Sequence, residues 1–298
     1  MAGRQHLVSV IEPRANQLLG ALLQWISLRD HPAVSGQTLG VVKRRPGAAE
    51  TIVDLAKRLG MRALACCPHP VNVFMNRWSI LDEDRKLATK DALLLLDWDV
   101  VYVGRKPNTD QWPDVADGKV SARRNPADLY RSFAKRLSNV HPDAPITCDG
   151  DLQCSINGGV LITAGDTAER LRARHQTWLA RIAKLAEPEA WQWEQCALSL
   201  AVGDLGYHRI GDPWNATPAS PVLDDEIQLW HYNDGDPRSR KIKRRLLDAT
   251  SVWHCCNLLR KDFPQTIARF HEHYQTAVSH GMIRPFMETD PSRDDEIV

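Results

Sequence analysis

The chain has 298 residues, 43% of them hydrophobic, and a formal net charge of +1. This composition excludes a fibrous or wholly disordered protein, and the length suffices for one large core or two modest ones. The near-neutral charge gives no general electrostatic reason for nucleic-acid binding. We find no apolar run of about 18 residues and no signal peptide, so the sequence predicts a cytoplasmic protein without a membrane span. The seven cysteines form no CxxC motif and predict reduced thiols.

Strand-like and helical segments alternate along the first third of the chain. Strand-like runs occupy 6–11, 38–43, 61–67 and 91–103, and helical periodicity occupies 16–28, 48–59 and part of 71–86. This alternation predicts an α/β fold with a mostly parallel sheet flanked by helices. The continuous apolar character of 91–103 predicts one central strand covered on both faces. Ligands of such sheets bind at the carboxyl ends of the strands.

The middle and last parts of the chain are less regular. Residues 105–125 are rich in Pro, Asp, Asn, Gly and Lys, which predicts a long loop and a candidate lid. Further helices are predicted at 126–137, 166–185, 191–203 and 238–261, and further strands at 153–163 and 227–232. The acidic and polar residues 288–298 predict a disordered tail.

Two carboxylates close the apolar run of four leucines. Burying both Asp97 and Asp99 without a partner is costly, because each loses solvation and the two repel each other. A hard divalent cation that prefers oxygen ligands removes both costs. If the strand continues, its period of two puts both carboxylates on one side, with Trp98 opposite. The alternative is a solvated strand end without a metal.

Three further features follow in chain order. The Asn-Gly-Gly segment 157–159 interrupts a strand-like run, and paired glycines there indicate either a close approach of backbone to ligand or an ordinary turn. Glu194 and Gln195 stand at the start of a helix, where an acid is either functional or simply interacts favourably with the helix dipole. His231 ends a late strand and is either structural or a third metal ligand.

In this order, the four elements resemble GT-A glycosyltransferases, and most closely the glycogenin-like and bacterial galactosyltransferase-like group. That family has an apolar strand ending in DxD, an Asn-x-Gly-Val-Leu-like strand, an acid-Gln helix start and a late histidine. The matching residues are Leu93–Asp99, Asn157–Ile162, Glu194-Gln195 and His231, with Pro213-Trp214-Asn215 before the histidine. The resemblance covers residues 5–235 and implies a Rossmann-like central sheet, mixed but mostly parallel, with a helical C-terminal extension.

The resemblance also implies a role for each matching residue. The metal ligands would be Asp97, Asp99 and His231, which hold Mn²⁺ (or Mg²⁺) on the donor diphosphate. The catalytic residues, beside the anomeric carbon, would be Glu194 and Gln195. The donor-binding residues would be Val10, Ile11, Glu12, Asn76, Arg77, Trp98, Arg238 and Lys241. The residues that bind the sugar or the acceptor would be Asn157, Gly158, Gly159, Trp193, Trp214 and Asn215.

The segment after His231 departs from the family pattern. The family has a Gly and then Lys-Pro-Trp, whereas residues 232–238 here read Tyr-Asn-Asp-Gly-Asp-Pro-Arg. The lysine that would meet the diphosphate is missing, and Arg238 or Lys241 is its candidate substitute. This departure leaves open whether the anomeric configuration is retained or inverted.

The resemblance further implies the partners and the domain organisation. A UDP-sugar is the first expected donor and a GDP-sugar the second, with a small molecule, a glycan or a protein as acceptor; the oligomeric state stays open. Residues 1–237 are expected to form the GT-A domain, with a nucleotide-binding half at 1–104 and an acceptor half at 126–237. Residues 238–287 would form a helical C-terminal extension and 288–298 the tail.

Two other interpretations use the same residues differently. A haloacid-dehalogenase-like Mg²⁺ phosphatase would use Asp97 as nucleophile, with Asp224 and Asp225 as its late acid pair. In that case the Asn-Gly-Gly and Glu-Gln segments would have no role. A non-catalytic module would instead bind nucleic acid or acidic lipid through the basic run 238–245, which otherwise forms a solvated helix face or faces a diphosphate.

Overall fold

The computed structural model describes residues 4–44, 46–70, 73–104, 112–115, 117–125, 155–182, 191–217, 220–232 and 260–282. Its strands are β1 (Gln5–Ile11), β2 (Val34–Val42), β3 (Arg62–Cys66), β4 (Leu93–Leu96), β5 (Val100–Tyr102), β6 (Val120–Arg124), β7 (Ile156–Thr163), β8 (Tyr207–Arg209) and β9 (Leu229–His231). Its α-helices are α1 (Ala15–Leu28), α2 (Ala48–Arg58), α3 (Ser79–Glu83), α4 (Gly165–Ile182), α5 (Trp191–Leu205) and α6 (Pro264–Ser279). Short 3₁₀ helices lie at Val73–Trp78, Arg85–Thr89, Asp212–Asn215 and Asp224–Glu226.

The strands form a large mixed sheet and a small two-stranded one. The large sheet has the order β3-β2-β1-β4-β7-β6-β8. Its β3, β2, β1 and β4 are parallel, β7 is antiparallel to both β4 and β6, and β8 is parallel to β6. In the small sheet β5 pairs with β9 in antiparallel register. The predicted α/β fold with a mixed, mostly parallel sheet flanked by helices is confirmed.

The predicted single strand over 91–103 is wrong. Strand β4 ends at Leu96, and the chain then turns, with the backbone N–H of Val100 donating to the carbonyl of Asp97 at 3.2 Å. Strand β5 continues in the other sheet. The apolar run hides this break because the residues on both sides of the turn are buried. Asp97 and Asp99 therefore flank a turn and do not alternate along one strand.

The predicted long loop over 105–125 is also wrong in its last part. Residues Val120–Arg124 form β6, which lies between β7 and β8 in the large sheet. The polar sequence conceals a buried strand because Arg123, only 1% exposed, pairs its charge with Asp212 at 2.7 Å. Residues 105–111 and 116 of the candidate lid lie outside the described residues.

The helix predicted within 71–86 is shorter and less regular than its apolar pattern indicates. The 3₁₀ helix Val73–Trp78 leads into the short α3, and the 3₁₀ helix Arg85–Thr89 follows. Asp84 separates the last two with φ −125° and ψ 79°, which is not a helical conformation. The predicted helix 126–137, residues 238–259 of the predicted basic helix and the tail 288–298 lie outside the described residues.

The C-terminal helix α6 packs into the same core as the strand that bears His231. The ring of Phe270 lies 6.1 Å from that of Trp230 and 5.3 Å from that of Tyr232. The carboxylate of Asp224 accepts hydrogen bonds from the first backbone N–H groups of α6 and so caps it. Helix α6 therefore supports β9 from behind. Across the described residues, no helix combines the length and the hydropathy needed to cross a membrane.

Candidate functional site

Three side chains predicted as metal ligands come together at the end of β4. One ligand atom each from Asp97, Asp99 and His231 lies within 4.8 Å of the other two. The two aspartates lie on the turn after β4, and His231 reaches them because β9 pairs with β5 in a register that sets it opposite Val100. The Nε2 atom of His231 lies 3.3 Å from Oδ1 of Asp99. Two carboxylates and one imidazole can hold a divalent cation such as Mn²⁺.

The orientation of the His231 ring suits this use. Its Nδ1 lies 3.1 Å from Oδ1 of Asn215, whose own Nδ2 donates to the carbonyl of Asn157 at 3.4 Å. An amide oxygen only accepts, so Nδ1 carries a proton, and loss of the proton from Nε2 would leave a lone pair there for a cation. A partner on the far nitrogen is what metal-bound histidines have in proteins.

The electrostatics of the cluster also favour a bound cation. Burial raises the pKa of Asp97 above its usual range, and the negative charge of Asp99 adds to this against the lowering effect of Arg77. Burial lowers the pKa of His231, but the two carboxylates outweigh burial and the net shift is upward. Without a cation, Asp97 and His231 therefore hold their protons more strongly than the free side chains do. A divalent ion that bound there would displace these protons.

Gly158 and Gly159 allow close contact between β7 and the site. A Cβ atom on Gly159 would lie 2.2 Å from Cε1 and 2.4 Å from Nδ1 of His231. A Cβ atom on Gly158 would lie 2.7 Å from the side chain of Leu198 and 3.1 Å from Nη1 of Arg77. No real side chain fits at these distances. The absence of side chains at Gly158 and Gly159 therefore leaves space for the side chains of Arg77 and His231.

Replacing Gly159 by alanine is expected to weaken Mn²⁺ binding by about tenfold or more, the usual effect of disturbing the support of a metal ligand. The new methyl group must displace the imidazole of His231, since the backbone of a central strand cannot move away. Isothermal titration with Mn²⁺ measures the change. Gly211→Ala is the matched control, because its Cβ would meet only Cδ of Pro213 at an ordinary 3.5 Å. Equal Mn²⁺ affinity in both variants would contradict this account of the site.

Arg77 links the carboxylate cluster to the predicted catalytic residues. Its Nη2 lies 3.3 Å from Oδ1 of Asp97 and 3.7 Å from Oε1 of Glu194, and its Nη1 donates to the carbonyl of Gly158 at 3.4 Å. Gln195 donates to Oε2 of Glu194 at 3.2 Å. Burial raises the pKa of Glu194, and Asp97 adds to this, while Arg77 opposes both. The predicted Glu194, Gln195 and Arg77 therefore form one cluster with the three candidate metal ligands.

Helix α1 holds the turn that carries the two aspartates. The Nε2 atom of Gln24 donates to the carbonyl oxygens of Asp97 and Val100, at 2.9 and 3.0 Å. One turn earlier, a Cβ atom on Gly20 would lie 2.4 Å from the carbonyl oxygen of Trp98. Neither Gln24 nor Gly20 was predicted from the sequence. A glycine and an amide four positions apart on the apolar face of a helix were the available signal.

Arg123 is a second unpredicted support. Its Nη1 donates to the carbonyl of Asn215 at 2.9 Å, and its Nε donates to Asp212 at 2.7 Å. Asn215 in turn accepts from His231. This fully buried arginine therefore fixes Asn215, the residue that orients His231. No pattern in the sequence distinguishes it from the adjacent, exposed Arg124.

The predicted donor-binding residues have varied environments. Val10 lines a small cavity together with Arg77, Asp97 and Gly158. Ile11 is 1% exposed and points to the opposite side, into the core beneath α1. The other three described residues of this set each contact another part of the protein. Glu12 pairs with Arg14 at 3.1 Å, and Asn76 accepts a hydrogen bond from the backbone N–H of His69 at 2.8 Å. Trp98 packs on Tyr232 with ring centroids 6.1 Å apart.

The predicted acceptor-binding residues divide in the same way. Asn157 accepts from the backbone N–H of Gly159 at 3.0 Å, and Asn215 orients His231. Trp214 is 8% exposed and packs edge-to-face on Trp112 with ring centroids 4.9 Å apart, which is a core role. The structure does not describe the side chain of Trp193, and Arg238 and Lys241 lie outside the described residues.

We compared the chain with known protein families, sequences and solved structures. No family model matches the chain, and no curated protein matches its sequence. Among solved structures, the galactosyltransferase LgtC in complex with donor and acceptor sugar analogues matches 94% of this chain and 100% of its own, with a TM-score of 0.54 and 13% identity. The glycosyltransferase GlyE of Streptococcus pneumoniae TIGR4 matches 95% of this chain and 65% of its own, with a TM-score of 0.51 and 14% identity.

These likenesses extend over nearly the whole chain, and both solved structures are glycosyltransferases. The fold expected from the four short motifs is thereby confirmed: the chain has a GT-A-like glycosyltransferase fold.

Proposed function

We propose that this chain transfers a sugar from a nucleotide-sugar donor to an acceptor nucleophile, with a divalent cation held by Asp97, Asp99 and His231. The observation that carries the proposal is the meeting of these three ligands beside Arg77 and Glu194, at the carboxyl end of β4. The same fold in LgtC is described with donor and acceptor sugar analogues. Carboxyl ends of parallel strands are where ligands bind in α/β sheets.

The ligand set fits Mn²⁺ or Mg²⁺. Carboxylate oxygens suit both ions, and the imidazole nitrogen favours the softer Mn²⁺. A cation bound there would act as a Lewis acid that neutralises negative charge on the leaving nucleoside diphosphate. Asn215 keeps the required tautomer of His231, and Gln24 holds the turn that presents both aspartates.

The remaining residues have roles that follow from their charges and contacts. Arg77, held between Asp97 and Glu194, offers a guanidinium to the donor phosphates or sugar. In an inverting reaction Glu194 accepts the proton of the acceptor hydroxyl, and its raised pKa suits a base that works near neutral pH. In a retaining reaction Glu194 or Gln195 stabilises positive charge at the anomeric carbon.

The finer assignments form part of the same proposal. The donor is a UDP-sugar in the first instance and a GDP-sugar in the second. The acceptor is a hydroxyl of a small molecule, a glycan or a protein. Arg238 or Lys241 takes the place of the missing lysine on the diphosphate. The residues around 157–159 and Asn215 line the donor sugar or the acceptor.

No observation favours the phosphatase. Asp224, which would belong to its late acid pair, accepts from the backbone N–H groups of Gln265 and Thr266 at 2.7 and 3.0 Å. Asp224 therefore has a structural role as a helix cap. The basic run 238–245 of the binding-module interpretation lies outside the described residues. The sugar-transfer proposal uses all of the clustered groups, whereas the phosphatase leaves Glu194 and His231 without a role.

A thermal-shift screen with UDP-, GDP-, dTDP- and CMP-sugars tests the proposal, each with and without Mn²⁺. A ligand that binds only the native state at about 100 times its Kd stabilises it by about 2.7 kcal/mol, so binding is readily visible. We expect a UDP-sugar to raise the unfolding temperature only when Mn²⁺ is present, and then to be consumed in a transfer or hydrolysis assay. The proposal fails if no donor stabilises the protein with Mn²⁺, or if a generic phosphomonoester is hydrolysed instead.

A further inference from the structure

A histidine that the proposed chemistry does not use lies directly behind Glu194. His175, on α4, is completely buried. The indole Nε1 of Trp78 lies 3.0 Å from its Nδ1. An indole N–H can only donate, so Nδ1 must be the unprotonated nitrogen and the neutral ring carries its proton on Nε2. Burial and the charge of Arg77 lower the pKa of His175 to about 3, against a raising effect of the Glu194 backbone carbonyl.

The protonated nitrogen faces Glu194. Nε2 of His175 lies 3.7 Å from Oε1 of Glu194 and also faces the backbone carbonyl of Glu194, but within the described residues neither Nε2 nor Oε1 makes a hydrogen bond of ordinary geometry. The other carboxylate oxygen, Oε2, accepts from Gln195 at 3.2 Å. Buried donors and acceptors are nearly always paired, and a shift below 1 Å would bring this pair to about 3 Å. A buried donor and a buried acceptor therefore lie within a small movement of a hydrogen bond.

We propose that His175 is a positioning residue that donates Nε2–H to Oε1 of Glu194 and, together with Gln195, holds the carboxylate plane at the transfer centre. This inference rests on the proposed sugar transfer and adds to it a residue that contacts no substrate. Trp78 takes part in this arrangement because its indole N–H keeps Nδ1 of His175 unprotonated. Arg77 and Asp97 are the other charged groups that face Glu194. An apolar residue at position 175 would leave Oε1 held by Arg77 alone, at 3.7 Å.

The test compares His175→Leu, His175→Gln and the matched control Trp178→Phe. Trp178 lies one turn further along α4 and donates to Asp204 at 2.8 Å, so its replacement also removes a buried hydrogen bond on this helix. We expect His175→Leu to lower kcat by about 10- to 100-fold, the range for lost orienting hydrogen bonds, with the donor KM changed less than about threefold. His175→Gln should restore most of kcat, since its amide can accept from Trp78 and donate to Glu194. Trp178→Phe should leave kcat unchanged.

The outcomes distinguish a failure of the positioning role of His175 from a failure of the proposed sugar transfer. If the wild-type protein transfers no sugar from any donor, the proposed function fails and His175 loses its role with it. If the wild type is active and His175→Leu keeps the kcat of Trp178→Phe, only the positioning role is overturned. Equal loss in the Leu and Gln variants would likewise overturn it, because size and not hydrogen bonding would then matter.

A spectroscopic measurement covers the case in which His175→Leu does not fold. In ¹⁵N-histidine-labelled wild-type protein with diamagnetic Mg²⁺, the His175 ring is expected to be neutral and protonated only at Nε2 from pH 5 to 8. Comparison with His175→Gln assigns its signals. A ring that is protonated at Nδ1, or that titrates within this interval, would overturn the proposal.

Discussion

Alanine at position 97, 99 or 231 is expected to lower the rate of sugar transfer by at least roughly a thousandfold at saturating Mn²⁺. A Lewis-acid cation supplies several kcal/mol of transition-state stabilisation, and each 1.36 kcal/mol corresponds to a factor of ten in rate. Removing one of the three ligands leaves too few protein groups to hold the cation against water. A transfer assay with the donor identified by thermal shift, run over a range of Mn²⁺ concentrations, measures the loss.

Asp91→Ala is the matched control for the two aspartates, because Asp91 precedes the same strand β4 but is exposed. It should retain full activity. Chelation of divalent ions with EDTA should reproduce the loss in the wild-type protein and should have no further effect on the Asp97→Ala and Asp99→Ala variants. Full activity in these variants would show that the metal assignment is wrong. Activity of the wild type that survives EDTA would show the same.

Glu194→Gln is expected to lower kcat by about 10²- to 10⁴-fold, the usual contribution of a general base, while the Kd of the donor changes little. Glutamine keeps the shape and one acceptor oxygen of the side chain but cannot take a proton. Single-turnover kinetics and donor titration separate the two quantities. Glu169→Gln is the matched control, because Glu169 is half-buried on α4 and pairs there with Arg172, away from the cluster around Glu194. A large change in donor affinity without a change in kcat would contradict this role of Glu194.

The pH dependence of the wild-type protein gives an independent check on Glu194. Burial raises its pKa above the usual value of 4.5. A base must be ionised, so transfer should decline as the pH falls through this raised pKa, and the acidic limb of kcat should lie above pH 4.5. The residual activity of Glu194→Gln should lack that limb. If the limb is present with the same midpoint in the variant, another group is responsible for it.

The three proposed metal ligands could be selected from the sequence because each has a recognisable local context. Asp97 and Asp99 follow four leucines, and His231 ends a short apolar strand. The geometry that joins them was not predictable in the same way. A turn of the chain after Leu96 sends β5 into a second sheet, and only the pairing of β5 with β9 brings His231 to the aspartates. Apolar runs on the two sides of such a turn look like one strand, since both are buried.

The supporting residues were missed for a related reason. Gln24, Arg123 and His175 form their key hydrogen bonds with residues 73, 92 and 97 positions away in the chain. Hydrophobic periodicity reports on the nearest turn of a helix or the nearest neighbours in a strand, and carries no information about partners at such separations. A buried polar side chain is recognisable only when the group that satisfies it is known.

The amino-acid sequence by itself determined the class of fold and the kinds of groups available for chemistry. Alternating strand and helix patterns predicted the mostly parallel sheet, and the order of the carboxylate pair, the paired glycines, the Glu-Gln pair and the late histidine predicted the GT-A fold. Only the tertiary structure decided that Asp97 and Asp99 flank a turn, that Asn215 selects the tautomer of His231, and that Glu194 stands between Arg77 and His175. Short stretches of sequence show by their hydrophobic pattern which side chains are buried. The choice of hydrogen-bond partner depends instead on which distant segments the fold brings into contact.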